Sequence, residues 1–181
     1  MRLLLSKRQA LLFTVAFILL YQGIAIANAG EPVMAVTCKV VPTIEVSFPD
    51  LLELGNAAPS SNTDESFIMS ETQSVKVWSN TNWALKARSD SFDGRMRKWT
   101  SGEYSSESLY SPLELQVEGK GQFTSVTDED TTIVENQPPT GEGGATLSLV
   151  FKQAISYNDS PIIESDACYR IEITFTAVQA Y

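Results

Sequence analysis

Cys38 and Cys168 are the only cysteines in this chain of 181 residues. In an oxidising compartment an isolated pair of cysteines most simply forms a disulfide. This disulfide would close a loop of about 130 residues and, in the chain-entropy model, contribute on the order of 4–5 kcal/mol of stability. It would also require the two Cα atoms to lie within about 7 Å of each other. We therefore expect a Cys38–Cys168 bridge between neighbouring first and last strands, with two buried free thiols as the alternative.

Histidine is absent from the chain. This excludes Ser-His-Asp and Cys-His catalysis and any zinc site that uses histidine, and two cysteines cannot complete a structural zinc cage. The run Asp128-Glu129-Asp130 offers oxygen ligands that calcium prefers, but without the spacing of a calcium-binding loop it favours a solvated turn. Among 22 acidic residues a chance pair of carboxylates does not indicate a glycosidase. We expect a non-enzymatic protein without cofactor or metal, with calcium binding at Asp128 and Asp130 and a small secreted hydrolase as alternatives.

Three aromatic residues are candidates to face a ligand: Trp78, Trp99 and Tyr104. Trp78 lies on the opposite parity to the valines of its predicted strand, and Trp99 and Tyr104 lie in a long polar stretch. Trp83 shares its face with Leu85, which favours a place in the core instead.

The first 29 residues have the pattern of a cleavable signal peptide. Three basic residues precede an apolar run at residues 10–21, and a small-residue cleavage site, Ala27-Asn28-Ala29, follows. The run is shorter than the roughly 20 residues that a membrane span needs. We expect a signal peptide at 1–29, a single domain at 30–181, no stable membrane insertion after cleavage, and a secreted, periplasmic or cell-surface location.

The chain is acidic, with 13 basic and 22 acidic residues and a net charge of −9. The signal peptide removes three basic residues and no acidic ones, which leaves a net charge of −12. A charge of this sign repels nucleic acid and anionic membranes. Four of the remaining basic residues cluster with Trp99 and either balance nearby carboxylates or form a cationic patch: Arg88, Arg95, Arg97 and Lys98.

Apolar and polar residues alternate in short segments along the mature chain, which indicates strands with one buried face. The clearest segments are residues 43–48, 74–78, 83–87, 113–117, 145–151 and 168–178. Turn signals separate them, and residues 89–108 show no sustained period, so we expect a long exposed loop there. The pattern predicts an all-β, immunoglobulin-like antiparallel β-sandwich. The predicted core positions are Ile44, Val46, Val75, Val77, Trp83, Leu85, Leu147, Leu149, Ile171, Ile173 and Phe175.

The order of these strands resembles that of WxL-type cell-surface domains. The resemblance rests on the first strands, the turn Ser79-Asn80-Thr81-Asn82, the tripeptide Trp83-Ala84-Leu85 and the strands at 113–117 and 169–177. It implies a non-enzymatic surface domain whose partners are cell-envelope polysaccharide or other surface proteins.

A second resemblance is to fimbrial subunits of the spore-coat-U type. It rests on Cys38 in an opening strand, residues 82–85, Arg95-Met96 after a glycine, and the terminal run Ile-Thr-Phe-Thr at 173–176. It implies self-assembly, in which the N-terminal strand of one subunit completes the sheet of the next. Two interpretations of the function therefore remain open: a structural or binding domain at the cell surface, and a filament subunit.

Overall fold

All regular structure in the described part of the chain is β-strand. The computed structural model describes residues 34–62 and 66–180, so the expected signal peptide lies outside the described residues. The strands are β1 (Ile44–Ser47), β2 (Phe67–Met69), β3 (Gln73–Ser79), β4 (Asn82–Ser89), β5 (Arg95–Thr100), β6 (Glu103–Val117), β7 (Lys120–Ser125), β8 (Thr131–Gln137), β9 (Ala145–Ala154), β10 (Ala167–Arg170) and β11 (Ile173–Ala180).

These strands form two antiparallel sheets. The larger has the order β1-β3-β9-β6-β5-β10, with β2 also paired to β9 and β7 to β6. The smaller has the order β11-β4-β8. The apolar face of each sheet packs on the other, so the predicted all-β antiparallel sandwich is confirmed.

The alternating apolar residues of both sheets meet in one core. The buried members are Val75, Val77, Trp83, Leu85, Ala87, Leu113, Leu115, Val126, Leu147, Leu149 and Phe151. The indole N–H of Trp83 donates a hydrogen bond of 2.9 Å to the carbonyl of Pro138, so this ring is buried without an unpaired donor. All eleven predicted core positions belong to this core or pack against it.

Six strands follow the connectivity of an immunoglobulin sandwich. In chain order β1, β3, β4, β6, β9 and β11 occupy the places of strands A to F, because β1-β3-β9-β6 reproduces the A-B-E-D sheet and β4-β11 the C-F pair. The seventh strand of that fold would lie beside β11. Among the described residues no strand occupies this place.

Two segments differ from their predictions. An exposed loop is expected at residues 89–108, but residues 95–108 belong to the hairpin β5–β6, which has a two-residue turn at Ser101 (φ 51°) and Gly102 (φ 93°). The predicted strand at 168–178 is two strands, because β10 pairs with β5 while β11 pairs with β4. The interruption falls at Ile171 and Glu172.

Candidate functional site

One side of the sandwich, between β1 and β11, is incompletely covered. Phe48, just after β1, packs on Phe175 of β11 with ring centroids 5.5 Å apart, so the two strands face each other across the core. Phe48 remains 40% exposed, whereas Val77 and Leu85 of the adjacent strands are fully buried. The inward residues of β1 and β11 are only half-buried: Ile44, Val46, Ile173, Phe175 and Ala177. We call these residues, with Phe48 and the outer edge of β11, the open edge.

The open edge combines two unsatisfied requirements. A strand at the edge of a sheet presents backbone N–H and C=O groups that can pair with a further strand. The apolar side chains beside it retain surface that a further strand could bury. An extended segment with apolar residues at every second position meets both requirements at once.

A segment of this type precedes β1. Residues 34–43 form no helix or strand, and the described residues before Ile44 are exposed. Met34, Val36 and Val40 are 84%, 82% and 79% exposed. These three residues and Cys38 occupy every second position, and Ala35, Thr37 and Lys39 lie between them. We call residues 34–41 the N-terminal segment.

Asn80 fixes the point where the N-terminal segment enters β1. Its side-chain amide donates to the carbonyl of Val41 at 2.8 Å, and its side-chain oxygen accepts from the N–H of Thr43 at 2.8 Å. The backbone N–H of Asn80 also donates to the carbonyl of Thr43 at 3.3 Å. Pro42 lies between these contacts and restricts the backbone on both sides. The direction of the chain is therefore defined at Val41, and sequence patterns alone gave no sign of this role for Asn80.

The structure places Trp78 on the outer face of β3, half-buried. The ammonium group of Lys76 lies 4.8 Å from the ring centroid. The backbone of Gly144 approaches so closely that an added Cβ would lie 2.8 Å from the indole nitrogen. Beside Trp78 is an open pocket of about 410 Å³ whose lining includes Glu45, Asn80 and Glu142.

Trp99 and Tyr104 come together on the outer face of the β5–β6 hairpin. Their ring centroids are 4.6 Å apart in an edge-to-face arrangement. The guanidinium of Arg170 lies 4.5 Å from the centroid of Trp99, and that of Arg97 lies 4.0 Å from the centroid of Tyr104. Each ring therefore already has a cationic partner, which reduces the ring surface that could stack on a sugar.

Carboxylates balance the two arginines of this cluster. Asp90 accepts from Arg97 at 2.7 Å and from the backbone N–H of Glu172 at 3.0 Å, and Glu172 accepts from Arg170 at 2.8 Å. Burial, and then the charge of Asp90, raise the pKa of Tyr104 to about 12. Arg97 is thus ion-paired and stacked, which agrees with the expectation that nearby carboxylates balance this stretch and not with an open cationic patch.

The expected disulfide is absent: Cys38 and Cys168 are free, and both are exposed rather than buried. Cys38 lies in no strand. Cys168 lies in β10, opposite Trp99 of β5, and not in the last strand. The prediction was wrong because it placed Cys38 in the first strand of the sandwich and Cys168 in the last. The first strand is β1 and the last is β11, and neither contains a cysteine.

The acidic turn shows no constellation for a metal. Asp130 pairs with Lys86 at 3.4 Å, while Asp128 and Glu129 are exposed. Within residues 34–62 and 66–180, no group of three or more metal-ligating side chains comes together. No helix in these same ranges is long and apolar enough to cross a membrane.

Comparisons with known proteins add no assignment. No protein-family model matches the chain, and no curated protein is significantly similar to it in sequence. The open edge and the N-terminal segment are therefore the features of the molecule that bear on its function.

Proposed function

We propose that this protein is a non-enzymatic, secreted structural subunit that assembles by strand donation. The N-terminal segment of one copy pairs with the outer edge of β11 in the next copy and covers its open edge. The product is a filament or an oligomer on the cell surface. The observation that carries the proposal is that no described strand lies beside β11 in an otherwise immunoglobulin-like order of strands.

Burial in the core supports this role. The residues of β3 and β4 that point inward are almost fully buried, while those of β1 and β11 are not. Full burial of an apolar side chain contributes about 1.5–3 kcal/mol. Several such side chains meet on the two sides of the interface, which can offset the cost of ordering one extended segment.

The N-terminal segment has the complementary pattern. An inserted strand must present apolar residues at alternate positions, as Met34, Val36, Cys38 and Val40 do. Its other face carries Ala35, Thr37 and Lys39, which suit a solvated surface. A glycan-binding role is less well supported, because the guanidinium groups of Arg170 and Arg97 lie over the rings of Trp99 and Tyr104, where a sugar would stack.

A pair of adjacent substitutions tests the proposal. Val36→Asp places a charge on the inserted face, and Thr37→Asp places the same charge on the solvated face. The full chain is secreted from an expression host, and assemblies are measured as SDS-resistant ladders on unheated gels and as particles by electron microscopy. We expect ladders from the wild type and Thr37→Asp, and only monomers from Val36→Asp. Monomers from the wild type, or equal ladders from both variants, contradict the proposal.

A further inference from the structure

The connection between the N-terminal segment and its own sandwich is very short. Val40 is the last residue with an inserted-face position, and Val41 is already held by Asn80. Consecutive Cα atoms are about 3.8 Å apart. If Val40 of one copy lies in the open edge of the next copy, the surface of that next copy must lie within a few ångströms of Asn80 of the first copy. This step rests on the proposed function.

The surface around Asn80 is concave and partly apolar. The open pocket of about 410 Å³ lies there and is lined by Thr43, Glu45, Trp78, Asn80 and Glu142 together with two further residues. Within the described ranges Glu45 and Glu142 form no ion pair. The half-buried ring of Trp78 supplies the largest apolar group of this surface, which we call the junction face.

We propose that the junction face is a second contact between successive copies, adjacent to the donated strand. A strand donated through a flexible linker would leave the two sandwiches free to reorient. Asn80 and Pro42 hold the chain at residues 41–43, so the sandwiches of two successive copies have little freedom to rotate relative to each other. The junction face of one copy therefore contacts the surface of the next copy beside its open edge. Asn80 acts as a positioning residue that sets the angle between subunits.

Residue-specific footprinting tests this contact in the full chain. Alkylation of Cys38 and Cys168 and hydroxyl-radical oxidation of Trp78 and Trp99 are compared between monomers and isolated assemblies by mass spectrometry. We expect several-fold protection of Cys38, which reports strand donation, and of Trp78, which reports the junction face. Cys168 and Trp99 lie on the β5–β10 part of the fold and serve as controls, with unchanged reactivity.

The outcomes separate the two proposals. An unprotected Cys38 in the assemblies overturns strand donation itself. A protected Cys38 with an unprotected Trp78, or with equal protection of Trp99, overturns the junction-face contact and leaves strand donation intact.

A variant tests the role of Asn80 directly. Asn80→Ala removes both side-chain hydrogen bonds to residues 41–43 and should loosen the connection. We expect its assemblies to retain protection of Cys38, to lose protection of Trp78 and to appear more curved by electron microscopy. Retained protection of Trp78 in these assemblies contradicts a positioning role, and protection of Cys38 shows that the variant is folded and assembled.

Discussion

At the scale of single residues, Gly94 has the least tolerance for a side chain. Its φ is +71°, and an added Cβ would lie 2.7 Å from the carbonyl oxygen of Val126, which is fully buried. The carbonyl of Gly94 accepts a hydrogen bond of 2.8 Å from Leu113, so the backbone cannot easily move away. We predict that Gly94→Ala lowers the free energy of unfolding by about 3 kcal/mol, measured by urea denaturation.

Gly119 is the matched control for this prediction. It has a similar φ of +70°, but no atom lies within 4 Å of an added Cβ. Gly119→Ala should therefore cost only the conformational strain, about 1 kcal/mol. Equal losses from the two substitutions would show that the contact with Val126 does not contribute.

The phenol of Tyr104 makes a prediction about pH. Its pKa is raised from 10.0 to about 12 by burial and by Asp90, so the folded chain keeps the proton at a pH where the unfolded chain loses it. The stability from this difference is complete below pH 10 and is lost as the pH rises towards about 12. We predict that Tyr104→Phe reduces this loss, measured as the urea midpoint below pH 10 and near pH 12.

Absorbance at the tyrosinate band provides an independent measure. Tyr104→Phe should remove a phenol that ionises late. Burial also raises the pKa of Tyr169. The Tyr104→Phe variant should therefore keep part of the late rise in tyrosinate absorbance, and this rise should be smaller than in the wild type. A late rise in absorbance that is the same in Tyr104→Phe as in the wild type would show that Tyr104 does not have a raised pKa.

At the scale of strands, alternation predicts those elements whose one face lies in the core. β3, β4 and β9 are recovered because each has apolar residues at every second position against the opposite sheet. β5 has no such pattern, since Arg95, Arg97 and Trp99 lie on a face covered by cation–π and ionic contacts. Periodicity of apolar residues does not detect such a face, and the hairpin was therefore predicted as a loop.

The open edge was also beyond prediction from the sequence. Ile173 and Phe175 have the alternation of a core strand whether or not a neighbour covers them, so their pattern does not reveal a missing strand. Residues 36–41 are rich in β-branched residues, which favour strands, yet no described strand pairs with them. The segment has the propensity of a strand without a partner, which is consistent with a donated strand.

The edge strand β10 supplies a prediction at this scale. It has four residues, and Arg170 attaches it to β5 by stacking on Trp99 at 4.5 Å beside the backbone pairing. Removal of this contact should cost about 0.5–1 kcal/mol locally. We predict that Arg170→Ala increases hydrogen exchange in β10 while β4 and β9 remain protected.

A conservative variant separates stacking from general loss of structure. Arg170→Lys keeps a cation over Trp99 and should restore part of the protection of β10. A uniform rise in exchange through β4 and β9 would mean instead that Arg170 stabilises the whole sandwich.

At the scale of the whole molecule, the open edge leaves the sandwich less stable than a completed one. Any ligand that binds the folded chain stabilises it, by about 2.7 kcal/mol when its concentration is 100 times its Kd. A synthetic peptide of residues 34–41 should act as such a ligand. The Val36→Asp chain is the suitable acceptor, because its own segment does not compete. We predict that the peptide raises its thermal midpoint by about 5–10 °C.

The same peptide with Asp in place of Val36 is the control. It keeps the length and the extended backbone but places a carboxylate on the face that would be inserted into the open edge. Burial of that charge without a partner is unfavourable, so this peptide should leave the midpoint unchanged. Isotope-edited exchange should also show new protection along β11 with the wild-type peptide and not with the control. Stabilisation by both peptides would indicate non-specific binding, and stabilisation by neither would mean that the vacant place beside β11 does not accept this segment.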